Sequence, residues 1–207
     1  YMALVKYNNN SISAVTATAI PSGSLVHIKT LTASSSGTLS FVHGTDGVVL
    51  DSTYPIYKFE FINIHPATNN VKLEFNLSTD GGSSYNVAKT TTAIQCYHYE
   101  NNAEAILAYD SGDDAAQDTG FIKFIGTGIG NNNDENLSAT MSLFNPSSTT
   151  FVKHFIINGN TYVSGLSYNG LTAGYGNTTS SINAIQFRVV SGNIDSGKIK
   201  LFGIGDS

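Results

Sequence analysis

The stretch IYKFEFINIH, residues 56–65, decides the fold class. In it Phe59 and Phe61 alternate with Lys58 and Glu60. Successive side chains of a β-strand point to opposite faces, so this alternation predicts a strand with one buried face and one face in water. A strand of this kind is typical of an antiparallel sheet that packs on a core from one side only.

Segments of the same kind recur along the chain. VKLEFNLS at 71–78 repeats the alternation, and further strands are predicted at 24–32, 37–44, 90–99, 182–190 and 198–204. About ten such segments, separated by turns rich in Gly, Asn, Asp and Ser, predict an all-β chain folded as an antiparallel, jelly-roll-like β-sandwich. We expect residues 22–207 to form this single domain, and residues 1–21 to form an N-terminal arm or docking segment.

Turn signals and one helix signal refine this expectation. The run TDGGS at 79–83 predicts a tight hairpin, so the strand that follows should return antiparallel. Asn-Gly pairs at 158–159 and 169–170 predict two more hairpins, which would make residues 151–176 a three-stranded meander. Only residues 100–109 have fair helix propensity, so we expect at most one short helix.

Charge and composition narrow the classes of partner. The 207 residues carry a net charge of −5, and the ten lysines and arginines never cluster, so we predict no nucleic-acid partner. No apolar run approaches the roughly 20 residues that span a bilayer, and no signal peptide is recognisable, which predicts synthesis in a cytoplasm without membrane insertion. The single cysteine, Cys96, excludes an internal disulfide, and its place within a predicted strand indicates a small buried side chain.

An acidic segment at 110–118 is the candidate metal site. Asp110, Asp113, Asp114 and Asp118 offer the oxygen ligands that hard cations prefer. They lack the alternating ligands and the distal glutamate of an EF-hand loop, so a solvated loop is the favoured interpretation. The five histidines lie in separate predicted strands without metal-ligand spacing. We predict neither a metal nor a cofactor.

The sequence contains no pattern typical of a catalytic site. A serine nucleophile on an elbow would need a Gly-x-Ser-x-Gly sequence, which does not occur. Hydrolysis of a glycan on a sandwich requires two carboxylates about 5 to 9.5 Å apart, whereas Glu60 and Glu74 stand alone on their strands. We therefore predict that the protein is not an enzyme. A glycan hydrolase that uses one of Glu60, Glu74, Glu104, Asp113 or Asp134 is the minor alternative.

Three tyrosines of the predicted meander allow two interpretations. If Tyr162, Tyr168 and Tyr175 are exposed, they could stack on sugar rings. Equally, they could fill the core or a subunit interface, where aromatic residues concentrate. The chain has no tryptophan, the preferred residue for sugar stacking, so we favour the core and the interface.

Four segments resemble parts of a known class of protein. They are MALVKYNNNSISAVTA at 2–17, STDGGSSYN at 78–86, FNPSSTTFVKHFI at 144–156 and AGYGNTTSSINAIQFRVVSGNIDSGKIKLFGI at 173–204. In these segments the chain resembles the small β-rich virion structural proteins of tailed bacteriophages, especially marine ones. The resemblance implies a capsid-decoration, head-fibre or tail-fibre component of the virion, commonly a homotrimer, and it brings no catalytic residues.

Strands that are apolar on both faces also indicate assembly. Residues 151–157 and 121–125 are the examples. The outer face of a two-layer sandwich is normally wet, so a doubly apolar strand predicts a second covering surface, which a neighbouring copy would supply. We expect residues 2–20 to attach the domain to other virion proteins. The alternative is a lectin-like module that recognises a host-surface glycan.

Overall fold

Thirteen strands and no helix form the part of the chain that the structure describes, residues 25–205 of a computed structural model. The strands are β1 Leu25–Thr32, β2 Leu39–Val42, β3 Ile56–Pro66, β4 Leu73–Ser78, β5 Lys89–Tyr99, β6 Ala105–Tyr109, β7 Ala115–Asp118, β8 Ile122–Lys123, β9 Asn136–Phe144, β10 Lys153–Val163, β11 Leu166–Gly176, β12 Ala184–Val189 and β13 Ile194–Ile204. The predicted N-terminal arm, residues 1–21, lies outside the described residues.

The strands form two antiparallel sheets. The larger sheet has nine strands in the order β1-β13-β3-β9-β10-β11-β5-β6, with β7 beside β5, and the smaller sheet has the order β2-β12-β4-β8. Buried and exposed side chains alternate along β9 and β10, because only the inner face of the larger sheet packs on the core. The predicted all-β antiparallel sandwich is confirmed. Jelly-roll connectivity stays a prediction.

An aromatic layer joins the two sheets. Phe187 on β12 contacts Phe59 and Phe61 on β3 edge to face, with ring centroids 5.5 and 5.0 Å apart. Phe41 and Phe124 pack on Phe187 in the same geometry. All five rings are at most 2% exposed. The two phenylalanines whose alternation predicted a buried face on β3 therefore lie at the centre of the core.

The two Asn-Gly pairs are not turns, so the prediction of a three-stranded meander is wrong. They lie instead within β10 and β11, two strands of 11 residues in which Gly159 is opposite Gly170. A Cβ atom on Gly170 would lie 2.5 Å from the Cβ atom of Ile125. Glycine is required at these positions because the side chain of Ile125 lies close to the inner face of the sheet. Close approach of another residue is a common reason for glycine within a strand.

The hairpin between β10 and β11 turns at Ser164 and Gly165, whose φ angles are 50° and 77°. Positive φ at both central residues is the geometry that matches the twist of a two-residue hairpin. The buried carboxylate of Glu135 accepts hydrogen bonds from the backbone N–H groups of Ser164 at 2.7 Å and of Asn132 at 2.9 Å. These two N–H groups lower the pKa of Glu135. A buried carboxylate thus fixes the position of this turn.

The segment 79–83 forms a tight turn, but the chain does not return along β4 as predicted. Gly81 and Gly82 have φ angles of 73° and 83°, and the hydroxyl of Ser78 accepts a hydrogen bond from the N–H of Gly82 at 3.0 Å. After the turn the chain crosses to the other sheet, where β5 pairs with β11. The sequence correctly predicted the turn. It did not predict the pairing of the next strand, because tertiary packing decides which strand β5 pairs with.

The segment 100–109, which has fair helix propensity, is not helical, so the described residues stay within the expected limit of one short helix. Its second half is strand β6, which pairs with β5 after a turn in which Asn102 has a φ angle of 59°. The side chain of Asn101 accepts a hydrogen bond from the N–H of Ala103 at 3.0 Å. The backbone hydrogen bonds formed with the edge of β5 outweigh the weak intrinsic helix propensity of this segment.

Substituting Gly170 tests the packing of Ile125 against the inner face. We expect Gly170→Ala to lower the free energy of unfolding by about 1 to 3 kcal/mol, because the new methyl group overpacks a closed site. Urea unfolding gives the value. Gly112→Ala is the matched control, since its Cβ would meet only a side-chain oxygen of Asp110, at 3.5 Å. Equal stability of the two variants would contradict the assigned packing.

The hydroxyl of Tyr57 predicts an alkaline limit of stability. It donates to the carbonyl of Asp51 at 3.1 Å, and burial raises the pKa of Tyr57 to about 12 from 10.0. The Tyr57 hydroxyl ionises at a lower pH in the unfolded chain than in the folded chain. Its contribution to the free energy of unfolding is therefore fully present below about pH 10 and is lost as the pH rises towards 12. We expect the free energy of unfolding to fall in that window, and to fall less in Tyr57→Phe. Identical pH profiles of the two chains would show that Tyr57 does not contribute.

Candidate interaction surface

The larger sheet turns an uncharged face away from the core over five adjacent strands, β9, β10, β11, β5 and β6. We call this area the outer face. Its side chains, in strand order, are Asn136, Ser138, Thr140, Ser142 and Phe144; His154, Ile156, Asn158, Asn160 and Tyr162; Ser167, Asn169, Leu171, Ala173 and Tyr175; Thr90, Thr92, Ile94, Cys96 and His98; and Ala105, Leu107 and Tyr109. None of these residues is Asp, Glu, Lys or Arg.

Charged side chains begin at the border of the outer face. Lys58 and Glu60 lie on β3, where their side chains form an ion pair with a 3.1 Å separation, and Lys198 and Lys200 lie on β13. The register of β3 and β9 places Glu60 beside Thr140. The sheet is therefore divided into a charged half, which suits contact with water, and an uncharged half.

Exposed apolar side chains gather on the uncharged half. Ile94, Leu107, Tyr109 and Ile156 are 41%, 76%, 53% and 47% exposed. Ile94 is paired with Leu171 on one neighbouring strand and with Tyr109 on the other. Leu171 is opposite Asn158 on β10, and Ile156 lies two residues before Asn158 on the same face. We call Ile94, Leu107, Tyr109, Ile156 and Leu171 the apolar patch. Large apolar side chains that cluster on one face are typical of a surface that another molecule covers.

Three asparagines lie beside the apolar patch. Asn158 and Asn169 are diagonal neighbours on β10 and β11, with amide contacts at 3.4 and 3.5 Å, and Asn160 is directly opposite Asn169. The Asn169 amide also donates to the carbonyl of Gly159 at 3.0 Å, and the Asn160 amide donates to the carbonyl of Tyr168 at 3.1 Å. These side chains are held by the sheet itself and present neutral donors and acceptors.

The three candidate tyrosines separate in the structure. Tyr162 and Tyr175 are partly exposed on the outer face, and the ring of Tyr175 lies 6.1 Å from that of His154. Tyr168 is only 3% exposed and stacks on Tyr97 with an interplanar angle of 12°, on the opposite side of the sheet. Tyr168 therefore follows the favoured interpretation, a place in the core, because β11 continues through the Asn-Gly pair and its register turns Tyr168 inward.

The four candidate metal ligands have separate protein partners. Asp113 is buried and paired with Lys72, and Asp114 accepts a hydrogen bond from the hydroxyl of Tyr109 at 2.6 Å. Asp110 and Asp118 accept hydrogen bonds from the backbone N–H groups two residues further on. Burial and the neighbouring Asp110 raise the pKa of Tyr168. Within residues 25–205, no three His, Cys, Asp or Glu side chains are grouped so that they could hold a metal ion.

The carboxylates considered for hydrolysis lie in different surroundings. Glu74, on the smaller sheet, is buried and bonded to the guanidinium of Arg188 at 2.7 Å, and Arg188 stacks on Phe121 at 3.8 Å. Glu60 lies on the larger sheet beside Lys58. Glu104 accepts a hydrogen bond from the hydroxyl of Tyr97 at 3.1 Å. Glu60 and Glu74 thus have cationic partners on separate sheets.

Two further expectations concern the outer face. Cys96 is exposed there, opposite Leu107, so the prediction of a buried thiol is wrong. In β10, which was predicted to be apolar on both faces, Phe155 and Ile157 are buried while Ile156 is exposed on the outer face. The alternate positions of β5, β10 and β11 lack charge in the sequence itself, and this signal could have located the outer face.

The chain was compared with protein-family models, with curated proteins and with solved structures, and nothing matched in any of the three. Within the described range 25–205, no helix is long and apolar enough to cross a membrane. The interaction surface is therefore argued from its own residues alone.

Proposed function

We propose that the chain is a non-enzymatic structural protein of a bacteriophage virion, and that copies of it assemble through the outer face into a homotrimer. The observation that carries the proposal is the uncharged outer face with its apolar patch. A capsid-decoration, head-fibre or tail-fibre component acts by holding its place in an assembly, and such a role requires a stable contact surface instead of a catalytic site.

The size and chemistry of the outer face suit contact between subunits. Four strands that contribute nine residues each, together with the five residues of β6, cover roughly 650 Å² at about 3.3 Å per residue and 4.8 Å between strands. This area is near the ~800 Å² that one partner contributes to a typical interface. Burying a charge without a partner is costly, whereas Asn, Thr and Ser can exchange hydrogen bonds with water for hydrogen bonds with a neighbour. An uncharged face of this area therefore loses little when it is covered.

The virion assignment is supported by the four segments that resemble phage structural proteins. One of them, 173–204, supplies part of β11 together with β12 and β13, so the resemblance includes strands of both sheets. Assembly through the outer face leaves the smaller sheet facing away from the neighbouring copy. We propose that residues 2–20 attach the assembled domain to other virion proteins.

Introducing a charge into the apolar patch tests assembly. We expect Ile94→Lys to convert the assembled chain to a monomer, because the ammonium group would be buried without a counter-charge in the interface. Val190→Lys is the matched control, since Val190 is similarly exposed, at 52%, but lies outside the outer face. Sedimentation equilibrium of both variants and of the unaltered chain gives the masses. The control should keep the mass of the unaltered chain.

Two results would contradict the proposal. One is an unaltered chain that stays monomeric at every concentration. The other is an Ile94→Lys variant that keeps the mass of the assembly while its circular dichroism shows a folded sheet. A monomer in both lysine variants would place the interface elsewhere, near the smaller sheet.

Recognition of a host-surface glycan is the second candidate function. It is favoured by the neutral amide groups of Asn158, Asn160 and Asn169 between Tyr162 and Tyr175 on one face, because sugars are bound by such amides and by aromatic stacking. We expect Tyr175→Ala to abolish saturable binding in a glycan screen while Tyr168→Phe, a buried change, preserves it. Binding that survives both Tyr175→Ala and Tyr162→Ala would exclude this placement of a sugar site.

A further inference from the structure

A buried lysine and a buried asparagine meet between the two sheets. Lys89 is the first residue of β5 in the larger sheet, and Asn76 lies within β4 of the smaller sheet. Both residues are 0% exposed. The Nζ atom of Lys89 lies 2.5 Å from the Oδ1 atom of Asn76 and 2.6 Å from the carbonyl oxygen of Val87. An amine and a carboxamide are thus in contact across the sandwich, away from water.

The surroundings of Lys89 increase the fraction of its amine that is neutral. Among the described residues, no carboxylate lies within ion-pair distance of its Nζ atom. Burial lowers the pKa of Lys89 to about 8, and the charge of Asp118, its partner residue on β7, only partly opposes this effect. About a tenth of the molecules then carry a neutral amine at pH 7, against fewer than about one in a thousand for an exposed lysine. A neutral amine is the form that can act as a nucleophile.

The carboxamide of Asn76 is held in one orientation. Its Oδ1 atom accepts a hydrogen bond from the N–H of Leu77 at 2.8 Å, in addition to the contact with Lys89. Its Nδ2 atom donates to the carbonyl oxygens of Tyr85 at 2.5 Å and of Thr119 at 3.0 Å. The N–H of Leu77 polarises the Asn76 carbonyl and would stabilise negative charge on its oxygen. These two carbonyl oxygens would accept hydrogen bonds from the ammonia that leaves from Nδ2.

The distances are close to those of a reacting pair. A C=O bond is about 1.23 Å long, so the Nζ atom of Lys89 lies at most about 3.7 Å from the Cγ atom of Asn76. Reacting atoms in a near-attack arrangement are about 3 to 3.5 Å apart, and holding two groups there can lower the barrier by several kcal/mol. Both side chains are fixed by strands on either side of a packed core, so this proximity is built into the fold.

We propose that Lys89 and Asn76 become joined by an intramolecular isopeptide bond. The neutral Nζ atom of Lys89 attacks the Cγ atom of Asn76, and the electron pair of the carbonyl moves onto Oδ1 beside the N–H of Leu77. A proton passes from Nζ to Nδ2. The carbonyl then re-forms, the Cγ–Nδ2 bond breaks and ammonia leaves. One amide replaces another, so the step requires no oxidant, reductant or cofactor.

The bond would link the two sheets covalently. It closes the loop that contains the turn at 79–83 and fixes the point where the chain crosses from β4 to β5. The chain has a single cysteine and cannot form an internal disulfide, so an isopeptide bond is a covalent brace that its composition permits. This inference rests on the core and is independent of the proposed assembly.

The second buried lysine provides an internal control. Lys153 is also 0% exposed, and it lies across Gly176 from Lys89 in the sheet register. Within the described part of the chain, its Nζ atom donates only to the backbone carbonyls of Phe151 at 2.7 Å and of Thr178 at 3.1 Å. Lys153 has the burial of Lys89 without a carboxamide to attack, so it should stay unmodified.

Intact-mass spectrometry of the purified full chain, after denaturation, tests the proposal. We expect a mass that is lower than the sequence mass by one ammonia, in the unaltered chain and in Lys153→Met. Lys89→Met and Asn76→Ala should have their full sequence masses. Tryptic digestion should give one looped peptide, residues 73–123, in which an internal bond joins Asn76 to Lys89 and cleavage after Lys89 is absent.

The unaltered chain alone decides the question, so a variant that fails to fold does not prevent an answer. A full sequence mass in the unaltered chain would overturn the proposal. A deficit of one ammonia that maps to a succinimide at Asn158 or Asn169, both followed by glycine, would overturn it equally. The looped peptide 73–123 distinguishes these cases, because a succinimide leaves Lys89 unmodified and trypsin then cleaves after it.

Discussion

The edge-to-face contacts of Phe187 with Phe59 and Phe61 connect the two sheets, and the rest of the structure depends on them. A two-sheet protein gains its stability where the inner faces meet, and aromatic pairs add about 0.5 to 1.5 kcal/mol each beyond the burial of their area. Because these rings fix the inner face of β3, the alternation of the strand fixes its outer face as well. Through the register of β3 and β9, that assignment extends across the larger sheet.

The outer face follows from the same constraint. Once the inner positions of β9, β10, β11 and β5 are assigned to the core, the alternate positions must lie outside, whatever their chemistry. In this chain those positions are Asn, Thr, Ser, Tyr and several large apolar residues, with no charge. A monomeric sheet protein usually carries charged residues on such a surface, which also prevent aggregation. The absence of charge over five strands is the reason why we propose that this face is a contact between subunits.

Sequence reasoning located the elements whose signal is local. The alternation around Phe59 and Phe61 placed β3 and its buried face, and the run at 79–83 was a turn. It failed where tertiary contacts decided the outcome. The Asn-Gly pairs accommodate Ile125 instead of forming turns, so Tyr168 lies buried within a continuous strand. Strand pairing also overrode the helix propensity of residues 100–109. Cys96 was misplaced because a residue in the middle of a strand can face either side of it.

The accessibility of the Cys96 thiol tests the central claim most directly, because this single cysteine lies on the outer face opposite Leu107. The rate of its alkylation by a bulky maleimide should be measured in the native chain, in denaturant and in Ile94→Lys. Our account predicts that the native assembly protects Cys96, and that the folded Ile94→Lys variant exposes it. Alkylation of the native chain as fast as in denaturant, at concentrations where its solution mass is that of an oligomer, would contradict assembly through the outer face.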